Sequence, residues 1–198
     1  MQQIAVIPPP PVHPNDVMIC VGTKGSTMPL MKDTGEVIPP RELIWNICGI
    51  NRFCGAVDFT VGQHTILVYH LVPERLRKHA LVHDLHEGIC GDVPSPFKAF
   101  LNEVTNGAWQ IAEGMVAVRV RRWFHLHPQF DPLVYEADIQ ARGIEVGHLF
   151  KNNKARKMYL KGGVAIQYCP ELSWLFEPMS RREVYYRLVT LFQEEGLL

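Results

Sequence analysis

Residues 80–98, ALVHDLHEGICGDVPSPFK, place two histidines and three acidic side chains within an otherwise apolar stretch. The apolar residues recur with the spacing of a helix that is largely buried. Carboxylates avoid burial unless a partner compensates their charge. The stretch therefore forms either a solvated helix face or part of a cation site.

The spacing within this stretch is compatible with a metal site. On a helix, His83 and Glu87 lie on one face, and Asp84 lies about 100° round the axis from His83. An imidazole nitrogen and a carboxylate oxygen side by side can bind one ion, although two ligands alone would bind it weakly. His64 on the preceding apolar segment and Asp138 on a later one could complete the set if a helical bundle directs all four inward.

Composition limits the classes of partner. The chain has 198 residues, 47% of them hydrophobic and 20% charged, and its formal net charge is zero. This length suffices for one domain with a sizeable core, and the charge balance argues against a nucleic-acid partner. Apolar runs fall short of the roughly 18 residues that span a membrane, and MQQIAVIPPPPVHP lacks the basic start of a signal peptide. We expect no membrane partner.

The cysteines indicate a reducing compartment. They are odd in number and none has CxxC spacing, which favours free thiols in the cytoplasm over disulfides or a cysteine-based zinc site. They are Cys20, Cys48, Cys54, Cys90 and Cys169.

The chain divides into an arm and a domain. Residues 1–40 are rich in turn-forming residues, which predicts an irregular N-terminal arm with at most one short hairpin, its turn near Gly25. Residues 41–198 are predicted to form one mainly α-helical domain.

Six helical segments are predicted within this domain. Asp131 is expected to cap the fifth, and a capping box of Ser180 and Glu183 to begin the sixth. A loop region with short strands is expected before the sixth helix, over residues 151–178. The segments are RELIWNICGI, VGQHTILVYHLV, ERLRKHALVHDLHEGIC, PFKAFLNEVTNGAWQIAEGMVAVRVRRWFHL (loosened near Asn106 and Gly107), DPLVYEADIQARGIEVGHLF and SRREVYYRLVTLFQEE.

Several short motifs follow one another in an order that resembles the HD-domain phosphohydrolase superfamily. The similarity covers roughly residues 35–150, and it is greatest to the branch of bacterial 5′-deoxynucleotidases and phage nucleotide phosphohydrolases. The lead-in TGEVIPPRELIWNICGINRFCG is similar to short phage members that act on dATP. The motifs are NRFCG at 51–55, QH at 63–64, HDLHE at 83–87, GDVPSPFK at 91–98 and AD at 137–138.

The resemblance implies an HD-domain helical bundle that binds a divalent metal ion, such as Zn, Co, Mn or Mg. It also implies the site residues. Glu87 would handle the attacking water and Asp92 would be a second acidic residue. Phosphate would bind Arg52 and Lys98, and Phe53 and Pro96 would line the sugar and base pocket. The metal ligands would be His64, His83, Asp84 and Asp138.

The implied activity is hydrolysis of a deoxynucleoside triphosphate, with dATP as the preferred substrate, to deoxynucleoside and triphosphate. Such an enzyme would deplete dATP in the cytoplasm of a phage-infected cell and would be a homo-oligomer. Two alternatives stay open: a 5′-deoxynucleotidase that acts on monophosphates, and a non-catalytic HD module that binds a nucleotide or a partner protein.

Elementary chemistry agrees with a phosphate site near residue 95. Ser95 is expected as the helix N-cap, Pro96 as the first helical residue and Lys98 as the third. A cation and free backbone N–H groups at a helix N-terminus favour an anion. Arg52 can bind two phosphate oxygens at once. By contrast, His86 is expected to pack or face solvent. The basic segment KNNKARKMYLK is expected to be solvated, and the alternative is that it closes over a triphosphate or lines a subunit contact.

Overall fold

In a computed structural model, which describes residues 18–22, 25–30, 33–160 and 164–198, the chain is mainly α-helical, as predicted. Short 3₁₀ turns join some of the helices, at Phe53–Gly55, Glu74–Leu76 and Pro170–Phe176. The helices of the described residues are α1 (Pro40–Ile47), α2 (Val61–Leu71), α3 (Arg77–Val82), α4 (Glu87–Cys90), α5 (Ser95–Val104), α6 (Ala108–Trp123), α7 (Pro132–Leu149), α8 (Asn153–Tyr159) and α9 (Arg181–Glu194).

Helix α2 lies at the centre of the molecule. Every residue from Val61 to Tyr69 is buried, so this helix is enclosed on all sides. It packs against α1, α3, α7 and α9. A capping box of Thr60 and Gln63 fixes its start. His64 is therefore carried into the core by the most enclosed helix of the fold.

A two-stranded hairpin lies in the region predicted as the arm. Strand β1 (Met18–Cys20) pairs antiparallel with β2 (Thr27–Pro29), and Gly25 has a φ of 86° near the turn. Arg119 of α6 holds the hairpin by donating from Nη1 to the Pro29 carbonyl at 2.6 Å. The predicted arm before residue 18 lies outside the described residues.

The third predicted helix is interrupted, so the prediction of one continuous helix over ERLRKHALVHDLHEGIC was wrong. Helix α3 ends at Val82 and α4 begins at Glu87. Between them the backbone forms hydrogen bonds of the 3₁₀ type, three residues apart. The Leu85 amide donates to the Val82 carbonyl, and the Glu87 amide donates to the Asp84 carbonyl. We call residues 83–86 the metal-side turn.

The predicted loosening near residue 106 is a complete break between α5 and α6. Asn106 and Gly107 both have positive φ, at 52° and 81°, which no α-helix can contain. The predicted caps of α7 and α9 are confirmed. The Asp131 carboxylate accepts from the Leu133 amide, and Ser180 and Glu183 form a capping box.

The region before α9 was predicted as a loop with short strands, and the strands were wrong. Its described residues form α8 and a 3₁₀ helix and contain no strand. Helix α8 forms because the Asn152 side chain accepts from the Lys154 amide, which caps it. Across the described ranges, no helix is both long and apolar enough to cross a membrane.

Candidate metal centre and adjoining cleft

The side chains predicted as metal ligands converge on one point. His64 comes from α2, His83 and Asp84 from the metal-side turn, and Asp138 from α7. One donor atom from each lies within 4.8 Å of the donors of the other three. Three separate elements therefore contribute to a group that could hold a metal ion.

The distances between these donors suit a first-row divalent ion. Nε2 of His64 lies 3.2 Å from Nε2 of His83, 3.4 Å from Oδ2 of Asp84 and 3.1 Å from Oδ1 of Asp138. Metal–ligand bonds of about 2.1 Å give donor–donor edges of about 3.0 Å in an octahedron and about 3.4 Å in a tetrahedron. Imidazole nitrogens and carboxylate oxygens are also the donors that such ions accept. The residues present thus fit a divalent metal.

Hydrogen bonds on the far side of each imidazole orient it toward the centre. Nδ1 of His83 lies 2.6 Å from the Ala80 carbonyl, and Nδ1 of His64 lies 2.5 Å from Oε1 of Glu145. Each acceptor assigns the proton to Nδ1, which directs the Nε2 lone pair at the centre. This arrangement of acceptor, histidine and metal is common in metalloproteins.

The electrostatics of the centre favour a cation. Burial and Arg52 both oppose a charged His64, yet Glu145, Asp138 and Asp84 raise its pKa well above the usual value. Burial would raise the pKa of Asp138, but His64 lowers it to about 2. The carboxylates of Asp84 and Asp138 therefore stabilise positive charge beside Nε2 of His64, and a divalent ion can supply that charge.

Sequence reasoning missed Glu145, which is fully buried beneath the centre. One of its oxygens contacts His64, and the other accepts from Nε of Arg52 at 3.1 Å. A signal was available, because Glu145 stands seven residues after Asp138. Seven residues are nearly two full turns, so both side chains lie on one face of α7.

A cleft of about 390 Å³ opens beside the candidate metal ligands. This volume is within the range of small-molecule sites. His64 and His83 are buried behind its wall, while the other predicted site residues line it. Those residues are Arg52, Phe53, Asp84, Glu87, Asp92, Pro96, Lys98 and Asp138. Further lining residues that were not predicted as site residues include Arg142, Met158 and Tyr159.

Two acidic side chains in the cleft hold protons more tightly than usual. Burial, reinforced by Asp84 and Asp92, raises the pKa of Glu87 well above the usual value. Burial also raises the pKa of Asp92, although Arg52 opposes the shift. Oε2 of Glu87 is buried without a hydrogen-bond partner among the described residues. Carboxyl groups with a raised pKa in a cleft are candidates for proton transfer.

The start of α5 differs from the prediction. Pro94 occupies the N-cap position, so Ser95 is the first helical residue and does not cap the helix. The amides of Phe97 and Lys98 bond to the Pro94 carbonyl at 2.8 and 2.9 Å, and Pro96 has no N–H. The backbone N–H groups expected to receive an anion are therefore largely engaged.

Lys98 is already paired. Its ammonium lies 2.7 Å from Glu113 and 3.4 Å from Glu87. These carboxylates raise the pKa of Lys98 despite partial burial, which keeps it charged. Lys98 belongs to α5, and Glu113 of α6 holds its ammonium in position beside the cleft.

Aromatic side chains line another part of the cleft. The Phe53 ring meets Phe150 and Tyr159 edge-on, with centroids 5.1 and 4.8 Å apart. Most of the basic segment that was expected to be solvated forms helix α8. The last two residues of α8, Met158 and Tyr159, line the cleft. This part of the cleft offers an apolar wall with edges and faces on which a flat ring could pack.

His86 belongs to a second group of possible ligands, with Cys90 and Glu113. His86 was expected either to pack or to face solvent, and it is buried, so it packs. Burial raises the pKa of the Cys90 thiol to about 12, and a thiol must lose its proton to bind a metal. Lys98 also supplies positive charge at Glu113. This second group therefore suits a metal less well than the first.

Comparison with known proteins gives little functional information. No family model matches the chain. The chain is similar to the Escherichia coli (strain K12) protein named "Uncharacterized protein YfdR", with 32% identity over 96 residues. The match covers 48% of this chain and 49% of the relative, so the chain spans about half the length of the relative that it matches.

Proposed function

We propose that this chain is a metal-dependent phosphohydrolase of the HD-domain superfamily that acts on a deoxynucleoside triphosphate, with dATP as the first substrate to test. One observation carries the proposal. Four metal donors from α2, α7 and the metal-side turn stand beside a cleft that contains both proton-exchanging carboxyl groups and cations. The order of the sequence motifs supports the choice of superfamily.

A divalent ion, when bound by His64, His83, Asp84 and Asp138, would supply Lewis acidity and neutralise phosphate charge. The chain's own residues would do the rest. Oε2 of Glu87 would be the general base, because it is buried, close to Asp84 and without a hydrogen-bond partner among the described residues. It would orient a water and accept its proton. Asp92 would hold or return a proton within the same cleft.

Arg52 is positioned to bind phosphate. Its Nε is engaged by Glu145, so its two terminal nitrogens are what it can offer to a ligand. A guanidinium fixed in this way binds two phosphate oxygens without losing further freedom. The same Glu145 carboxylate also contacts His64, so it would fix the position of the bound phosphate relative to the metal.

The proposed reaction is displacement at the α-phosphorus. The water oxygen forms a bond to phosphorus, the bond from phosphorus to the 5′-oxygen breaks, and the proton taken from water ends on the released hydroxyl. The products are a deoxynucleoside and intact triphosphate. The apolar wall of Phe53 and Tyr159 would hold the base away from the metal.

A second candidate, a 5′-deoxynucleotidase acting on monophosphates, is favoured by the pairing of Lys98. A lysine committed to Glu113 and Glu87 is less available to the outer phosphates of a triphosphate. A monophosphate would need only the metal and Arg52. A non-catalytic binding module is disfavoured by Oε2 of Glu87, because a buried carboxylate oxygen without a hydrogen-bond partner among the described residues is costly unless it has a task.

The test is an assay of the purified protein with each dNTP and dNMP in the presence of Mg²⁺, Mn²⁺, Co²⁺ or Zn²⁺. We expect deoxyadenosine and triphosphate from dATP. Orthophosphate from dAMP as the dominant product would instead favour the nucleotidase. Nucleotide binding without any product under all four metals would favour the binding module.

Glu87→Gln separates binding from catalysis. We expect turnover to fall by about 10²-fold or more, the scale of a positioned acid–base group. Metal content should stay unchanged, as measured by elemental analysis. Asn102→Asp, a charge change of similar size on the adjacent α5, is the control and should keep its activity. Near-normal turnover in Glu87→Gln would contradict this mechanism.

A further inference from the structure

Helices α5 and α6 form a hairpin that turns large apolar side chains to solvent. In the part of the chain that the structure describes, α5 has no buried residue. Its Phe97 and Phe100 rings stack on each other with centroids 5.8 Å apart, outside the core. The exposed residues of the hairpin are Phe97 (52%), Phe100 (55%), Val104 (59%), Ile111 (65%) and Met115 (46%). We call these five residues the α5–α6 face.

The exposed residues of α6 have the spacing of a packed helix face. Ala108, Ile111, Ala112 and Met115 follow the i, i+3, i+4, i+7 pattern that normally faces a core, and all four are exposed. Two alanines beside two large residues allow another helix to approach closely. The pattern is therefore that of a helix whose packing partner is not among the described residues of the chain.

This face is larger than a monomer normally leaves uncovered. Five aromatic and aliphatic side chains, each about half exposed, present on the order of 500 Å² of apolar area. A ten-residue helix without buried side chains also has little stability of its own, since isolated helices of this length are marginal in water. Burial of the face would supply the missing stabilisation.

The charges around the face indicate what covers it. Residues 95–115 contain three charged side chains, Lys98, Glu103 and Glu113. Lys98 and Glu113 bind each other beside the cleft, which leaves Glu103. Membrane-surface helices carry lysines and arginines along their polar face. In residues 95–115 Lys98 is the one such residue, and it is paired with Glu113. The arginines of α6 follow this stretch, and Arg119 and Arg122 lie beside Met115 at its edge. Unlike partners are usually matched by complementary charges, which this face does not offer.

An uncharged apolar face is complementary to itself. A two-fold axis brings the same patch of both subunits together, so each large side chain can pack beside the partner's alanines. A standard interface buries about 800 Å² on each partner and is about 60% apolar, which is roughly 500 Å² of apolar area. The area of the α5–α6 face matches that share.

We infer that the α5–α6 face is a symmetric interface between two copies of this chain. Because α5 begins at the cleft and carries Pro96 and Lys98, the interface would also hold one wall of the cleft in place. The inference does not depend on the activity proposed above, because it rests on exposure, spacing and charge alone.

Sedimentation velocity over a concentration series tests the inference. We expect the full chain to form dimers at micromolar concentration. Ile111→Glu and Phe100→Glu should each weaken dimerisation by at least about 30-fold, the scale of an interface hot spot. Tyr186→Glu, which changes a residue on α9 that is 61% exposed, is the matched control and should dimerise normally.

Hydrogen–deuterium exchange gives a readout that requires no variant. On dilution through the dissociation range, amide exchange should accelerate in α5 and α6 and stay constant in α9. A monomer at all concentrations would overturn the inference. So would a dimer whose protected amides lie elsewhere, or a monomer that sediments with phosphatidylcholine–phosphatidylglycerol vesicles. Protection of α5 and α6 that does not change with dilution would assign the cover to another segment of the same chain, which also contradicts the inference.

Discussion

A single buried carboxylate, Glu145, connects the two functions that the centre requires. It accepts from His64, a proposed metal ligand, and from Arg52, a proposed phosphate ligand. A change at this residue should therefore affect both, although Glu145 would touch neither the ion nor the substrate. Its role is to position other residues.

Glu145→Gln tests this positioning role. An amide keeps the volume but loses the charge that fixes the proton on Nδ1 of His64. We expect metal affinity to fall by about 10- to 100-fold, as for other residues behind a metal ligand. Isothermal titration with Mn²⁺ or Zn²⁺ measures it. Glu136→Gln, an exposed carboxylate on the same helix, is the control. Unchanged affinity in Glu145→Gln would show that His64 needs no orienting partner.

Lys98 is predicted to bind phosphate, but its ammonium already pairs with the carboxylates of Glu113 and Glu87. If it binds the outer phosphates, Lys98→Met should lower kcat/KM for dATP by about ten- to a hundred-fold, since a hydrogen bond to a charged group is worth about 1.5–3 kcal/mol. The effect on dAMP should be much smaller. Steady-state kinetics with both substrates measures the difference.

The control for this comparison is Glu113→Gln. It removes the shorter of the two ion pairs and leaves the longer one, to Glu87 at 3.4 Å, so the Lys98 ammonium can turn toward a ligand more easily. We expect it to preserve or improve kcat/KM for dATP. An equal loss for dATP and dAMP in Lys98→Met would mean that Lys98 acts by holding Glu87, and not by binding phosphate.

At the residue scale, sequence reasoning located the groups whose motifs are local. His83 and Asp84 are adjacent, and Arg52 and Lys98 lie in recognisable short motifs, so each could be proposed without a fold. The partners of these groups were missed because they come from distant parts of the chain. Glu145 is 81 residues from His64, and Glu113 reaches Lys98 only because α5 folds back on α6.

At the scale of elements, periodicity identified the helices but not their ends. The metal-side turn contains no glycine or proline, so its sequence does not require an interruption. His83 and Asp84 of this turn contact His64 of α2, and such long-range contacts are invisible in a single segment. The break after α5 was easier to predict, because Asn106 and Gly107 are residues that adopt positive φ.

The break between α5 and α6 can be tested by a pair of glycines. Gly107 has a φ of 81° with open space around it, so Gly107→Ala should lower the free energy of unfolding by about 1–2 kcal/mol through backbone strain alone. Gly114 lies within α6 with equally open space, so Gly114→Ala should raise it by about 0.4–1 kcal/mol. Urea denaturation measures both. Changes of the same sign would contradict the assigned break.

At the scale of the whole molecule, the metal donors join elements that are far apart in the chain. His64 is in the central helix, and Asp138 is in α7, which packs against it. The metal-side turn adds a third element. An ion held by all of them binds the folded chain and has no equivalent site in the unfolded chain, so its binding free energy adds to the stability of the entire fold.

Metal addition should therefore raise the melting temperature. At 100 times the dissociation constant, a ligand of the folded state adds about 2.7 kcal/mol, which corresponds to about 5–10 °C for a chain of this size. Calorimetry after EDTA treatment and dialysis, with and without Mn²⁺ or Zn²⁺, measures the shift. Asp138→Asn should abolish most of it, and Glu103→Gln, an exposed carboxylate on α5, should keep it. An equal shift in Asp138→Asn and the unmodified chain would place the ion elsewhere, and loss of that shift in His86→Gln would assign it to the second group of ligands.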